Sequence, residues 1–131
     1  MGAFLLKKMT IQRIKRHFDF IEIRQTPTKA FTKSFVLQIR PNDKNCTRIG
    51  FTVSKKISKK AVIRNHLRRQ MREIARLSKK LPELYPSHDL VLIAREEALN
   101  RSYKELSGDF YYLLTHVKDV SNEENFKKNS R

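Results

Sequence analysis

The sequence predicts an α+β fold, a single compact two-layer sandwich in which about three helices pack on one mixed sheet. Segments with an apolar residue every three or four positions predict helices, and segments of alternating or continuous apolar residues predict strands. The length of 131 residues corresponds to one domain, and the 39% apolar content is sufficient for a core. Glycine and proline are scarce, which argues against a fibrous or low-complexity chain.

The first half of the chain contains a predicted N-terminal helix and two strands. The helix, over residues 18–23, is rich in aromatic residues, although its alternation also suits a strand. Residues 31–40 and 47–55 predict strands, and the turn-forming residues 41–45 between them predict a hairpin. The second strand has an apolar face and a small, polar or basic face, formed respectively by Ile49, Phe51 and Val53 and by Arg48, Gly50, Thr52 and Ser54.

The second half predicts a long helix, a buried strand and a final helix. Residues 59–79 have the longest helical pattern, whose apolar side contains Ile63, Leu67, Met71 and Ile74. Residues 90–94 are continuously apolar, which is typical of a buried central strand. Ser102 and Glu105 have the spacing of a capping box, and the amphipathic helix that they begin contains Leu106, Phe110, Leu113, Leu114 and Val117.

These elements predict the order α-β-β-β-α-β-α within one folded domain. The predicted boundaries are a flexible basic N-terminus over residues 1–9, the domain over residues 10–118 and a disordered polar tail over residues 119–131.

The net charge indicates the class of partner. Lys and Arg number 29 against 13 Asp and Glu, which gives a formal net charge of +16. A polyanion neutralises such a chain best, because each phosphate contact releases condensed counter-ions. A membrane is the other candidate, but no stretch is long enough to span one and no lipidation motif is complete. The single cysteine, Cys46, fits a reducing compartment, so the sequence predicts a cytoplasmic nucleic-acid-binding protein.

The basic residues are concentrated in and around the long predicted helix. Between residues 55 and 80 there are eleven Lys or Arg and one acid, Glu73. A solvated helix face is the alternative explanation, but such faces usually mix both signs of charge. Arginines at helical spacing opposite an apolar side can follow a phosphate backbone, because each planar guanidinium can donate two hydrogen bonds to one phosphate.

A set of catalytic or metal-binding residues is not evident in the sequence. The four histidines, at positions 17, 66, 88 and 116, lack metal-ligand spacing. Cys46 has no evident base beside it, and Glu96 and Glu97 are interpreted as a solvated loop rather than a Mg²⁺ site. The sequence therefore predicts no protein catalytic residues and no metal site formed by the protein alone.

Residues 54–73 carry a recognisable motif. The sequence Ser54-Lys55-Lys56 at a strand end, followed by the helical residues 61–73, resembles the signature of bacterial ribonuclease P proteins. In that family an Arg-Asn-Arg core precedes a basic pair and an Arg-Glu, which match Arg64-Asn65, Arg68-Arg69 and Arg72-Glu73. His66 stands at the third core position, and Arg24 stands where relatives often have an aromatic residue. The resemblance covers residues 10–118 in the expected order of elements.

The resemblance implies the protein subunit of a ribonucleoprotein endoribonuclease that removes the 5′ leader of precursor tRNA. It implies a left-handed crossover through the Arg-rich helix, which is contrary to the general rule for such connections. It also implies that the catalytic centre and the Mg²⁺ belong mainly to the RNA subunit, and that one protein monomer joins each ribonucleoprotein.

The resemblance implies two RNA-binding surfaces. One meets the catalytic RNA, and the matching residues are Lys60, Arg64, Asn65, His66, Arg68, Arg69, Arg72 and Arg76. The other is a cleft between the N-terminal helix and the sheet that holds the single-stranded leader, and the matching residues are Phe18, Phe20, Thr52, Lys55 and Lys56. Aromatic rings stack on unpaired bases of any identity and lysines bind phosphates, which is chemically consistent with this role. Burial in the core is the alternative role for the two phenylalanines.

The sequence agrees less well with three other functions. A ribosomal or ribosome-assembly protein explains the charge and fold equally well, but not the Arg-Asn core with its spaced basic pair. A self-sufficient nuclease would need clustered acids or histidines. A DNA-binding regulator is disfavoured, because the Arg-rich helix is flanked by strands and not by a second helix at a tight turn. We therefore expect binding to RNA and not to DNA or a membrane.

Overall fold

A computed structural model describes residues 11–14, 21–23, 25 and 29–130 of the chain, with side chains given up to residue 117. The five-stranded sheet has the order β1-β4-β5-β3-β2. Its strands are β1 (Ile11–Arg13), β2 (Lys29–Phe31), β3 (Phe35–Pro41), β4 (Thr47–Thr52) and β5 (His88–Ala94). The helices are α1 (Ala61–Leu77), α2 (Lys80–Leu84), a 3-10 helix (Glu96–Asn100) and α3 (Tyr103–Ser130). The predicted α+β class with one mixed sheet is confirmed.

Strand β5 lies at the centre of the sheet, as its continuous apolar run predicts. It pairs in parallel with β4 and antiparallel with β3. Both of its faces are covered, since Leu90, Val91 and Leu92 are all fully buried. Strands β4 and β5 are therefore parallel neighbours connected through α1, and the left hand of that crossover stays a prediction.

The predicted hairpin between residues 31–40 and 47–55 is wrong. Strand β5 lies between β3 and β4, so these two strands are not hydrogen-bonded neighbours. The turn prediction itself is correct, because Asn42 accepts a hydrogen bond from the Lys44 amide at 2.9 Å and Asn45 has a positive φ of 56°. The turn reverses the chain, but β3 and β4 are separated by the width of one strand. Strand β5 occupies the position between them, because its continuous apolar run is typical of a central strand with a neighbour on each side.

Residues 31–40 form parts of two strands instead of one. A tight turn at Thr32 separates β2 from β3, which pair antiparallel. The Thr32 hydroxyl accepts the amide hydrogens of Ser34 and Phe35, both at 3.2 Å, and the Thr32 amide donates to the Phe35 carbonyl at 2.9 Å. A threonine side chain that competes in this way for backbone groups promotes a turn within an otherwise strand-like sequence.

The closed face of the sheet is the face covered by α1 and α3. Its strand residues are Phe35, Leu37, Ile39, Ile49, Leu90, Leu92 and Ala94, which are all buried. They form one core with Leu67, Met71 and Ile74 of α1 and with the predicted apolar residues of α3, namely Leu106, Phe110, Leu113, Leu114 and Val117. This face holds the larger part of the hydrophobic core.

The open face is the opposite face of the same strands. Its residues are Val36, Gln38 and Arg40 of β3, Asp89, Val91 and Ile93 of β5, and Arg48, Gly50 and Thr52 of β4. Among the described residues a small cluster packs here, in which Ile14 and Ile23 contact Val91 and the half-buried Ile93. On this face Val36, Arg40, Arg48, Thr52 and Ile93 remain partly exposed, whereas Gln38, Asp89 and Val91 are buried.

Helix α1 begins and ends close to its predicted positions, and α3 begins close to its predicted position. Ile63, predicted to face the core, is 37% exposed, and Ala75 is buried in addition to Leu67, Met71 and Ile74. The capping box of α3 is present, because the Ser102 amide donates to the Glu105 carboxylate and the Glu105 amide donates to the Ser102 hydroxyl, both at 3.1 Å. Helix α3 runs through Ser130, whereas the sequence predicts disorder from residue 119.

Candidate nucleic-acid interface

Helix α1 presents the predicted basic residues on the side away from the core. Asn65, His66, Arg69 and Arg76 are exposed, Arg64, Arg68 and Arg72 are half-buried along the flank, and Lys60 is exposed at the N-cap position. The buried side holds only apolar residues, so the helix is held by its core contacts and leaves its polar side unobstructed. The eight residues that match the catalytic-RNA surface are thus brought together on one helix.

Arg64 has a structural contact in addition to its predicted role. Its Nη1 donates to the carbonyl oxygens of Ser58 and Lys59, both at 2.9 Å. These bonds attach the loop before α1 to the helix, and the Ile57 amide closes a turn in the same loop by donating to the Ser54 carbonyl at 3.0 Å. Because the loop contains exposed Lys55 and Lys56, Arg64 fixes the backbone that positions them.

The other arginines of α1 differ in how strongly neighbouring groups hold them. Arg68 donates to the Asn65 side chain at 2.8 Å, and Arg76 pairs with Glu73 at 3.1 Å. Arg72 has a buried Nε with no hydrogen-bond partner among the described residues. Arg69 forms no ion pair with any described residue. Neighbouring side chains therefore already orient Arg68 and Arg76 on this surface. Arg69 remains available to an external phosphate.

The open face contains the described part of the predicted leader cleft. Thr52 is half-buried on this face, and Lys55 and Lys56 are exposed in the turn directly after β4. Phe18, Phe20 and Arg24 lie outside the described residues. Residues 21–23 are helical and lie over this face, because Ile23 is buried against Val91. The helical segment is therefore packed on the open face beside the predicted leader site.

Two residues that the sequence did not single out, Val36 and Ile93, continue the row of Thr52 across the sheet. Strand pairing aligns Val36 with Ile93 and Ile93 with Thr52, and all three side chains are partly exposed. Ile93 belongs to the continuous apolar run of β5, and such a run gives no indication of which residues face outward. Only the strand order shows that Ile93 lies between Val36 and Thr52.

A buried ion network at one end of the open face was also missed. Arg48 binds Asp89 with two hydrogen bonds, Nε to Oδ1 at 2.7 Å and Nη2 to Oδ2 at 2.6 Å. Asn42 donates to Asp89 Oδ1 at 2.7 Å, and Arg40 lies 3.5 Å from Asp89 and donates to Glu22 at 2.8 Å. The network joins β3, β4 and β5 to the helical residues 21–23.

The network determines the protonation of Asp89, whose side chain is fully buried. Burial alone would raise the pKa of this carboxyl group, but the hydrogen bonds from Arg48 and Asn42 and the charges of Arg48 and Arg40 outweigh it, so the pKa is lowered. Burial also lowers the pKa of the neighbouring His88, against the opposing charge of Asp89. Asp89 is therefore a charged brace that holds the two arginines on the open face.

The described histidines, acids and cysteine are dispersed. No group of three or more His, Cys, Asp or Glu within the described residues could hold a metal ion. Cys46 is half-buried in the β3–β4 turn, and Glu96 and Glu97 are exposed in the 3-10 helix. Within the described part of the chain, no helix is both long and apolar enough to cross a membrane.

Comparisons with known proteins agree on one family. The family model for ribonuclease P matches residues 9–118. The ribonuclease P protein component of Syntrophus aciditrophicus is 34% identical over 113 residues, which cover 84% of this chain and 92% of the relative. That of Alkaliphilus metalliredigens is 33% identical over 109 residues, which cover 83% of this chain and 96% of the relative.

Solved structures give the same result for the fold. The RNase P protein of Staphylococcus aureus has a TM-score of 0.70 at 28% identity, covering 81% of this chain and 94% of its own. The RNase P protein of Thermotoga maritima has a TM-score of 0.67 at 27% identity, covering 79% and 94%. The Arg64-Asn65 core, the basic surface of α1, the matching fold and the near-complete coverage together show that this chain belongs to the ribonuclease P protein component family.

Proposed function

We propose that the protein is the subunit of ribonuclease P that binds the catalytic RNA and the 5′ leader of precursor tRNA, and so promotes removal of the leader. The observation that carries the proposal is the basic surface of α1, which the core contacts of Leu67, Met71 and Ile74 hold in one orientation. Family membership supplies the enzyme to which this surface belongs. In this proposal one monomer acts per ribonucleoprotein in the cytoplasm.

Helix α1 and the loop before it form the proposed contact with the catalytic RNA. Arg69 and Lys60 supply exposed cations, and Arg64 supports the loop that carries Lys55 and Lys56. Guanidinium groups bind phosphates with two parallel hydrogen bonds, and each phosphate contact releases counter-ions. Assembly with the RNA should therefore weaken steeply as the salt concentration rises.

The open face forms the proposed leader site. The row from Val36 through Ile93 to Thr52 offers a partly exposed surface across three strands, with Lys55 and Lys56 at its end. The family resemblance assigns the aromatic residues of this site to Phe18 and Phe20. Stacking and apolar contacts do not discriminate strongly between bases, so leaders of different sequence should bind.

The protein contributes binding and charge, while the RNA carries the chemistry. The Mg²⁺ ions required for hydrolysis are held mainly by the RNA subunit. A protein that binds the leader stabilises the precursor complex but not the product complex, because mature tRNA has no leader. Its positive charge also lowers the repulsion between two RNA molecules, which favours metal binding at low Mg²⁺ concentration.

The RNA interface is tested with Arg69→Ala and Arg68→Ala, and with Lys104→Ala as a matched control on the exposed side of α3. Each α1 variant should weaken binding to ribonuclease P RNA and reduce the slope of log affinity against log salt by about one per lost phosphate contact. Filter binding over a range of salt concentrations measures both quantities. Wild-type slopes in both α1 variants would remove these residues from the interface.

The leader site is tested with Phe20→Ala in the reconstituted holoenzyme. The ratio of affinities for precursor and mature tRNA should fall by roughly fivefold or more, which is the effect of losing one base–aromatic stack. Tyr111→Ala, which removes an exposed aromatic residue of α3, is the control and should leave the ratio unchanged. An unchanged ratio in Phe20→Ala would instead assign Phe20 to the core.

A further inference from the structure

A groove between the β2–β3 turn and helix α3 adjoins the open face at Phe31, which pairs with Val36. Its lining includes two exposed aromatic residues, Phe31 at 60% and Tyr112 at 48%, and two basic residues, Lys33 and Arg101. It is located at the β2 edge of the sheet, whereas α1 contacts β4 and α3. Exposed aromatic side chains beside cations are the residues that bind unpaired nucleotides.

The ring of Tyr112 is held in place by a neighbouring ring. His116 stacks on it, with ring centroids 3.6 Å apart and planes within 13° of parallel. His116 Nδ1 lies 2.9 Å from the Tyr112 carbonyl oxygen, which can only accept, so Nδ1 is the donor. One face of the tyrosine ring is thus occupied by His116, while the side chain remains about half exposed. An incoming base could extend this stack.

Gly108 leaves the groove open beside the aromatic residues. It lies within α3, and a Cβ added there would meet no described atom within 4 Å. Glycine inside a helix costs about 1 kcal/mol relative to alanine, and no neighbouring side chain or positive φ requires it here. A ligand that approaches the helix backbone closely would use the space that a methyl group would fill.

The walls of the groove are cross-linked by polar contacts. The Ser34 hydroxyl donates to the carboxylate of Asp109, which also pairs with Arg101 at 3.1 Å. Arg95 donates to the Thr32 carbonyl at 2.7 Å and so fixes the β2–β3 turn. Because Arg101 offsets the charge of Asp109, Lys33 remains as the exposed cation of the lining. The groove is therefore pre-formed and positively charged, which complements a phosphate.

We propose that this groove binds one unpaired RNA nucleotide, with its base stacked on Tyr112 above Gly108 and its phosphate near Lys33. The inference rests on the proposed RNA-binding function, since it adds a third contact to the two surfaces described above. The nucleotide comes either from the precursor leader or from a single-stranded part of the catalytic RNA, and the chemistry of recognition is the same for both.

The test uses the full chain with ¹⁵N-labelled glycine and the trinucleotide ApApA carrying a 5′-phosphate. The chain has three glycines, Gly2, Gly50 and Gly108. Gly50 lies on the open face and reports on the leader cleft, while Gly108 reports on the groove. Titration should shift the Gly108 amide signal to saturation. A shift of Gly50 without any shift of Gly108, or a shift of neither, would overturn the proposal.

Three variants separate binding from folding. Tyr112→Ala should weaken the Gly108 response roughly fivefold or more, and Tyr111→Ala, the adjacent exposed tyrosine, should not. Gly108→Ala should raise the thermal unfolding midpoint yet weaken binding, which is then followed through the ring signals of Tyr112. Equal losses in Tyr111→Ala and Tyr112→Ala, or full affinity in Gly108→Ala, would contradict the proposed stack.

The holoenzyme then identifies the source of the nucleotide. If Tyr112→Ala weakens binding of leader-bearing precursor but not of the catalytic RNA, the leader occupies the groove. If it weakens binding of the catalytic RNA but not of the precursor, a single-stranded part of the catalytic RNA occupies the groove. If neither binding changes, the proposal is overturned for the holoenzyme. A wild-type protein that does not stimulate cleavage would defeat the proposed function, but the trinucleotide titration would remain interpretable.

Discussion

The two faces of the sheet are made by the same strands but have opposite properties. On the closed face, Leu37 and Leu92 are neighbours on adjacent strands and are fully buried beneath α1 and α3. On the open face, Val36 precedes Leu37 and Ile93 follows Leu92. These two residues are also neighbours on adjacent strands, and both remain partly exposed. Here a shift of one residue along a strand therefore moves a side chain from the core to the partly exposed face that we propose as the leader site.

The difference indicates how this small domain combines stability with the RNA binding that we propose. The closed face concentrates the apolar area that helices cover, so most of the hydrophobic free energy comes from there. The open face is stabilised largely by charge and hydrogen bonds around Asp89, which leave the rest of the surface available to a ligand.

The largest effect is expected on the closed face. Leu92→Ala should lower the free energy of unfolding by about 3 kcal/mol, because it leaves a cavity in a core that cannot fully collapse. Ile93→Ala, the next residue along β5, should cost about half as much or less, because its side chain is already partly exposed. Urea denaturation measures both values. Equal losses would show that the two faces do not differ in this way.

A comparable loss is expected at Asp89, a fully buried charged residue of the open face. Asp89→Asn should lower stability by about 3 kcal/mol, because Arg48 keeps a buried charge without its carboxylate. Asp43→Asn, in the exposed turn beside it, is the control and should stay within about 0.5 kcal/mol of wild type. A small effect of Asp89→Asn would mean that the network does not brace the open face.

The same network predicts how stability depends on pH. The pKa of Asp89 is lowered in the folded state, so its contribution is fully present above the ordinary aspartate pKa of about 4 and is lost as the pH falls through the lowered value. Urea denaturation between pH 5 and pH 2 should show a smaller decline in Asp89→Asn than in wild type. Parallel declines in the two proteins would contradict the stated role of the carboxylate.

A smaller effect distinguishes two arginines of α1. Arg64→Ala should lower stability by about 1 kcal/mol, because two hydrogen bonds to the preceding loop are lost, and should also weaken RNA binding. Arg69→Ala should weaken RNA binding with a change of less than about 0.5 kcal/mol in stability, because its side chain is exposed. Thermal unfolding and filter binding measured on both variants would test this. Unchanged stability in Arg64→Ala would mean that the loop does not depend on it.

Local patterns were sufficient to predict individual elements of the fold. The apolar run of residues 90–94, the helical pattern of residues 59–79 and the capping box at Ser102 all correspond to observed elements. Ile63 fits the apolar side of the helical pattern but lies in the first turn of α1 and is exposed. Ala75 was missed because its small side chain contributes little to an apolar pattern.

Relationships between distant segments were not predictable from local patterns. Whether β3 pairs with β4 or with β5 depends on which strand lies at the centre of the sheet. Residues 41–45 alone do not determine this. The network around Asp89 depends on that strand order, since it joins residues more than 40 positions apart. The α1 surface, by contrast, was predictable because all of its members lie on one helix.

The most direct test of the account is cleavage of precursor tRNA at low Mg²⁺ concentration by the protein alone, by a bacterial ribonuclease P RNA alone and by the mixture. Mature 5′ ends should form rapidly only in the mixture. The stimulation of cleavage by the protein should be reduced in Arg68→Ala and retained in Lys104→Ala. Cleavage by the protein alone would reveal a catalytic site in the chain, and an absence of stimulation would instead favour a ribosomal or ribosome-assembly role and contradict the central claim.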